Sequence, residues 1–188
     1  MKAASLKEIQ QELAELPKQE LVALCTRLGR FKKENKELLT YLLFEAFDQE
    51  AWIAAIKTEM GDQFEDMNRS NHYLVKKSLR KILRSISKYG RYSGTPVVEV
   101  QLLLHFFALT RSHNINIQGS AALQNLYTGQ EKKIRKLIGG IHDDLQFDYL
   151  KELEQFVQEP EKISAAKKII SYFQKKKDAK IKEKKTPS

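Results

Sequence analysis

The residues most able to do chemistry in this sequence are cations. Positions 69–94 hold eight basic side chains and no acidic one. At 100° per residue, Val75, Leu79, Ile82, Leu83, Ile86 and Tyr89 fall on one side of a helix. Lys77, Arg80, Lys81, Arg84 and Lys88 fall on the other, and Arg91 continues their line. Such a row could neutralise successive phosphates of a nucleic-acid backbone, with affinity that falls steeply with salt. It could equally meet an acidic protein surface. An internal reading competes with these. Positions 37–66 carry eight acidic residues, Glu37, Glu45, Asp48, Glu50, Glu59, Asp62, Glu65 and Asp66, against Lys57 alone. If that acidic stretch packs beside the basic helix, the outward field is cancelled by exposed pairs worth under about 1 kcal/mol each.

The second cationic feature is the C-terminal segment. The chain has 188 residues, with 33 basic and 24 acidic side chains, a net +9. Positions 161–188 account for +7 of this, ten lysines against three acids. Lys175, Lys176, Lys177, Lys180, Lys182, Lys184 and Lys185 are expected to form a mobile arm that adds sequence-independent affinity or solubility. Lysine without interleaved arginine or aromatics does not suit base-specific readout.

Other groups offer less. Glu59, Asp62 and Asp66 share a helix face and could do acid/base work or hold a hard cation, although a solvated face explains them as simply. His142, Asp143, Asp144 and Asp148 form a polar cluster expected at the surface. The four histidines stand far apart and none belongs to an HExxH or Glu-x-x-His pair, so no metal ligand set and no cofactor are expected. His105 reads as a hydrogen-bonded histidine at the edge of the core. Cys25, the single cysteine, excludes an internal disulfide framework and reads as a buried, inert thiol. The segment from Gly90 to Pro96 has glycines and Arg91 before a helix start, where a phosphate or carboxylate could sit. It lacks the lysine of a phosphate loop, and an ordinary connection capped by Thr95 is the simpler reading.

The elements that must position these groups are all helical. Apolar residues recur at three and four, and the chain has only 8 Gly and 4 Pro. The expected fold is all-α: an irregular multi-helix bundle or short stack of helical hairpins, about eight helices, with a Lys-rich tail. Ser5-Leu6-Lys7-Glu8 is a capping box opening the first helix, and Pro17 starts the second. Positions 37–46 form a third and Asp48 caps a fourth. The basic helix spans about 71–89, with Gly90 just past its end. The helix over 96–109 is apolar nearly all round, excepting Glu99, Gln101 and His105, and belongs in the centre. Trp52, Phe106 and Phe107 are expected in the core. A long helix over about 130–157 keeps its period through Gly139-Gly140, which implies a close helix crossing there. Pro160 ends that helix or begins a ninth. Positions 1–160 are expected as one helical domain, and 161–188 as a basic extension, partly helical and then disordered.

The stretch ELVALCTRLGRFKKENKELLTYLLFEA at 20–46, with VQLLLHFFALT and IHDDLQFDYLKEL further on, resembles an uncharacterised all-helical family of bacterial proteins. The resemblance covers most of 5–157. It implies a bacterial, cytoplasmic helical protein and carries no activity, cofactor or site. Residues 5–42 also resemble the helix-turn-helix pair of the SAP class of DNA-binding module, through Leu6, Ile9, Leu13 and Glu20-Leu21. They depart from it at the hinge, where Leu16-Pro17 replaces the usual glycine.

The longest uncharged apolar run, 100–110, is far short of the roughly 20 residues that cross a bilayer. The first 20 residues hold seven charges and no secretory apolar core, so the expected compartment is the cytoplasm. The function expected is non-catalytic binding of a polyanion, nucleic acid or acidic protein, by the basic face and tail. Contact with a membrane surface is not the expectation. Two alternatives stand beside it: a protein–protein adaptor of a bacterial cytoplasmic complex using a helical groove, and an enzyme built on the carboxylate or histidine clusters.

Overall fold

The structure, a computed structural model, describes residues 2–157. Among these it is an all-α helical bundle with no strand. Its eight α-helices are α1 (Leu6–Glu15), α2 (Lys18–Phe31), α3 (Lys33–Thr40), α4 (Gln49–Glu65), α5 (His72–Ser93), α6 (Pro96–Ser112), α7 (Ala121–Ile138) and α8 (Asp143–Glu154). A π turn, Tyr41–Glu45, follows α3. The chain divides into two compact units, 1–52 and 53 onward, with the boundary inside α4. The C-terminal extension, its lysines 175–185 and the helix expected after Pro160 lie outside the described residues.

In the first unit, Ser5 accepts from the Glu8 amide while the Glu8 carboxylate accepts from the Ser5 amide, completing the capping box. The Ser5 amide, and after it the Ser5 hydroxyl, hold the Glu8 carboxyl below its ordinary pKa. The side chain of Asn35 donates to the Leu28 carbonyl at 2.9 Å and satisfies an orphan group at the end of α2. Gly29 brings α2 close to α3, since a Cβ there would stand 3.1 Å from Leu39 Cδ1. Tyr41 is the one buried residue of α1 to α3 and the π turn. Its ring lies 4.2 Å from that of Trp52 and its hydroxyl meets Gln49 Nε2 at 3.4 Å.

The second unit is built around α6, which buries Val98, Val100, Leu102, Leu103, Leu104, Phe106, Phe107 and Thr110. Burial of each large apolar side chain contributes about 1.5–3 kcal/mol. Phe64 of α4 meets Phe106 edge-on at 5.8 Å, and Phe107 meets Tyr127 of α7 at 4.8 Å. Glu99, Gln101 and His105 of α6 each find a partner on a different helix. The Lys133 ammonium of α7 donates to Glu99 and, at 2.8 Å, to Ser87 of α5, tying three helices together. Gln101 donates to Tyr149 of α8 at 3.0 Å. His105 Nε2 lies 3.3 Å from the Lys57 carbonyl of α4, and burial lowers its pKa.

Three local expectations are corrected. The basic helix does not stop before Gly90; it runs to Ser93, and Gly94 caps it in the left-handed region at φ 68°. Gly90 is needed for a different reason, because a Cβ there would stand 2.8 Å from Glu99 Cβ. The helix expected over about 130–157 is interrupted: its first part belongs to α7, which begins at Ala121, and its second is α8. Gly139-Gly140 end α7, and their Cβ positions would meet only carbonyl oxygens of the same helix, so no neighbour crosses closely there. His142 then caps α8, with Asp143 and Asp144 in its first turn.

Candidate functional site

The basic helix α5 starts at Asn71, whose side chain accepts from the Leu74 amide at 2.9 Å. Val75, Leu79, Ile82, Leu83 and Ile86 are buried against the core of the second unit. That burial fixes the rotation of the helix and decides where the cations point. Lys77, Arg80, Lys81, Arg84 and Arg91 are all exposed. At 100° per residue they span an arc of about 100°, and from Lys77 to Arg91 the row is about 21 Å long. A row of that length matches roughly six base-pair steps of a duplex.

None of these five cations pairs with a carboxylate among the described residues of the second unit. Arg84 Nε turns instead to the Arg80 carbonyl at 3.3 Å, a local contact that leaves both guanidinium heads outward. On α4, Glu59 meets Tyr89 Oη at 3.3 Å and Gln63 Nε2 at 2.8 Å, at the end of α5 and on its apolar flank. Asp62, Glu65 and Asp66 are exposed and reach no stripe cation. So the half of the acidic stretch that belongs to this unit does not occupy the row.

Lys88 is the exception within the row. It is half-buried, with its ammonium 5.0 Å from the Tyr89 ring centroid and 5.9 Å from that of Tyr92. Arg69, the first cation of the basic run, has a structural role. Its guanidinium donates to the Phe64 carbonyl at 3.0 Å and to the His113 carbonyl at 3.3 Å, joining the ends of α4 and α6.

The other expected sites do not converge. Glu59 and Asp62 of α4 and Asp66 just past its end are exposed, and no group of three or more His, Cys, Asp or Glu among the described residues could hold a metal ion. His142 Nδ1 faces the Asp144 amide at 3.4 Å as a helix cap. The connection between α5 and α6 shrinks to Gly94 and Thr95, too short for the anion cradle considered above. Thr95 holds the cap position, yet its buried hydroxyl makes no hydrogen bond. A cavity of about 400 Å³ lies between Thr110, Arg111, Ile117, Tyr127 and Phe156, away from all of these groups. Tyr127 donates to the Phe156 carbonyl there, and burial pushes its pKa up to about 12.

Sequence reasoning missed the state of the first unit. Cys25, expected to be buried, is exposed, because the apolar face of α2 that carries it is uncovered. Leu42, Leu43, Phe44 and Phe47 are exposed as well. A signal was present: at 100° steps those four residues point around more than half the helix, and one buried face cannot take them all. No helix among the described residues is long and apolar enough to cross a membrane. No family model, curated protein or solved structure matches the chain, so its function is read from the structure itself.

Proposed function

We propose that the chain is a non-catalytic helical binding protein that engages a polyanion, the backbone of a nucleic acid, through the cationic row of α5. The observation that carries this is the row itself: Lys77, Arg80, Lys81, Arg84 and Arg91, exposed, in line, and without counter-ions among the described residues of their own unit. A rigid helix backed by five buried apolar residues holds the backbone of these residues at fixed spacing, so only their side chains need ordering on binding. Contacts to phosphates fix register without reading sequence, so binding discriminates little between sequences. The tail lysines add to the same electrostatic attraction. Fluorescence anisotropy with labelled duplex DNA and single-stranded RNA, at 50 and 200 mM salt, tests the proposal. Binding at low salt that collapses at high salt is expected; negligible binding at low salt refutes it.

The adaptor reading draws on a separate observation, the uncovered apolar side chains of the first unit. Partner capture that survives charge reversal along α5 would favour it.

A further inference from the structure

Eleven of the thirteen large apolar side chains left exposed among the described residues lie between Leu6 and Phe47. Leu6, Phe31, Phe44 and Phe47 are 86%, 75%, 67% and 86% exposed. The helices that carry them cannot hide them from within. α1, α2 and α3 have no buried residue, and Tyr41 is the single buried side chain of the π turn. A unit of 52 residues is near the lower limit at which a chain sustains its own core. Here the apolar periodicity that would build a core faces outward. Leu6, Ile9 and Leu13 follow helical spacing on α1, and Leu24, Leu28 and Phe31 do so on α2.

We infer that a second copy of this chain covers that face, making the first unit a dimerisation module. Two further observations select this occupant. The first is area. At roughly 100 Å² of exposed apolar surface per side chain, eight of the eleven facing one partner reach the roughly 800 Å² per partner of a stable interface, which leaves room for those that point elsewhere. The second is charge. Positions 1–52 hold eight basic and nine acidic residues, so two copies meet without net repulsion. The signs are also segregated: α1 has Glu8, Glu12 and Glu15 against Lys7, while α2 has Lys18, Arg27 and Arg30 against Glu20. A two-fold pairing meets every contact twice, so α1 of one copy against α2 of the other sets opposite signs together at both ends. An anionic lipid surface, by contrast, would face the three glutamates of α1, the reverse of the cationic polar face that membrane-surface helices carry.

Sedimentation velocity of the full chain at 1–100 μM tests this, with F44E/F47E as the perturbing variant. Both phenylalanines are exposed, so their replacement leaves the fold of the single chain intact, which circular dichroism verifies. The expected result is a species of twice the 21.8 kDa chain mass, with dissociation at least about a hundredfold easier in the variant. A full chain that stays monomeric at 100 μM overturns the inference, and pelleting of that monomer with anionic vesicles would identify lipid as the occupant instead. A dimer untouched by F44E/F47E also overturns it, because its interface then lies elsewhere. A charge-neutralised α5 row leaves this measurement unchanged, so failure here and failure of the polyanion reading are separable.

Discussion

Replacing Lys77, Arg80, Lys81, Arg84 and Arg91 together by glutamine should change one number above all, the slope of log affinity against log salt. Each phosphate neutralised on a duplex contributes about 0.9 to that slope through counter-ion release. Five exposed side chains in line therefore supply a slope of about 4.5, or roughly a 500-fold loss of affinity between 50 and 200 mM salt. On single strands the same row supplies about 3.5, at about 0.7 per phosphate. Glutamine keeps the helix, having nearly the propensity of lysine and arginine, and changes at exposed sites typically stay within about 0.5 kcal/mol each. The tail is left in place, so its lysines contribute equally to both proteins and cancel in the difference. The assay is anisotropy with a labelled duplex at four salt concentrations, backed by thermal melts of both proteins. A slope difference under about one unit refutes the reasoning, since the row would then neutralise no phosphate.

Other expectations follow from packing and titration. G90A should destabilise by up to about 2 kcal/mol in denaturant unfolding, because its Cβ would collide with Glu99 Cβ at 2.8 Å and overpacking outweighs the helix-propensity gain. G139A should instead stabilise by about 0.5–1 kcal/mol, since that residue has helical dihedrals and its Cβ would meet only carbonyl oxygens at 3.6 Å. T95V should be neutral or stabilise by about 1 kcal/mol, because it removes a buried hydroxyl that has no partner. His105 is lowered from its ordinary pKa of 6.5 by burial, so below pH 6.5 the unfolded chain binds more protons than the folded one. Stability should therefore be full above pH 6.5 and fall as the pH drops toward the folded value. H105Q, which can still donate to the Lys57 carbonyl, should show a smaller drop in melting temperature between pH 7.5 and 5.5.

Helix existence and the buried faces of the second unit were legible from apolar spacing. All five buried residues of α5 and the central place of α6 follow from period alone, because each helix there has a neighbour to receive its stripe. In the first unit the same signal on α2 misled, since period reports that a face is apolar and cannot report whether anything covers it. Cys25 was misplaced for that reason. The glycines were read the wrong way round. Gly90 looked like a terminator and is a contact point; Gly139-Gly140 looked like a contact point and end a helix. The period survives that break because Ile141, in the connection itself, remains buried, so the apolar spacing continues where the helix does not. Of the candidate site, the alignment of the cations was legible. The diversion of Lys88 onto two tyrosine rings and of Arg69 into carbonyl contacts was not, because the first depends on side-chain direction and the second on a residue distant in sequence.

The π turn at Tyr41–Glu45 has one consequence for how this chain tolerates change. Its closing bond, from the Ala46 amide to the Tyr41 carbonyl at 2.8 Å, spans five residues where an α-turn spans four. One surplus residue is thus stored in the backbone, and losing it would shorten the loop into ordinary helix without breaking the run of hydrogen bonds. Such a deletion would keep the Ala46 amide on the Tyr41 carbonyl, so the side chains that follow would hold their direction. A single lost codon between 42 and 45 would therefore leave Phe47 aimed as before, whereas the same loss inside α2 would turn everything after it by about 100°.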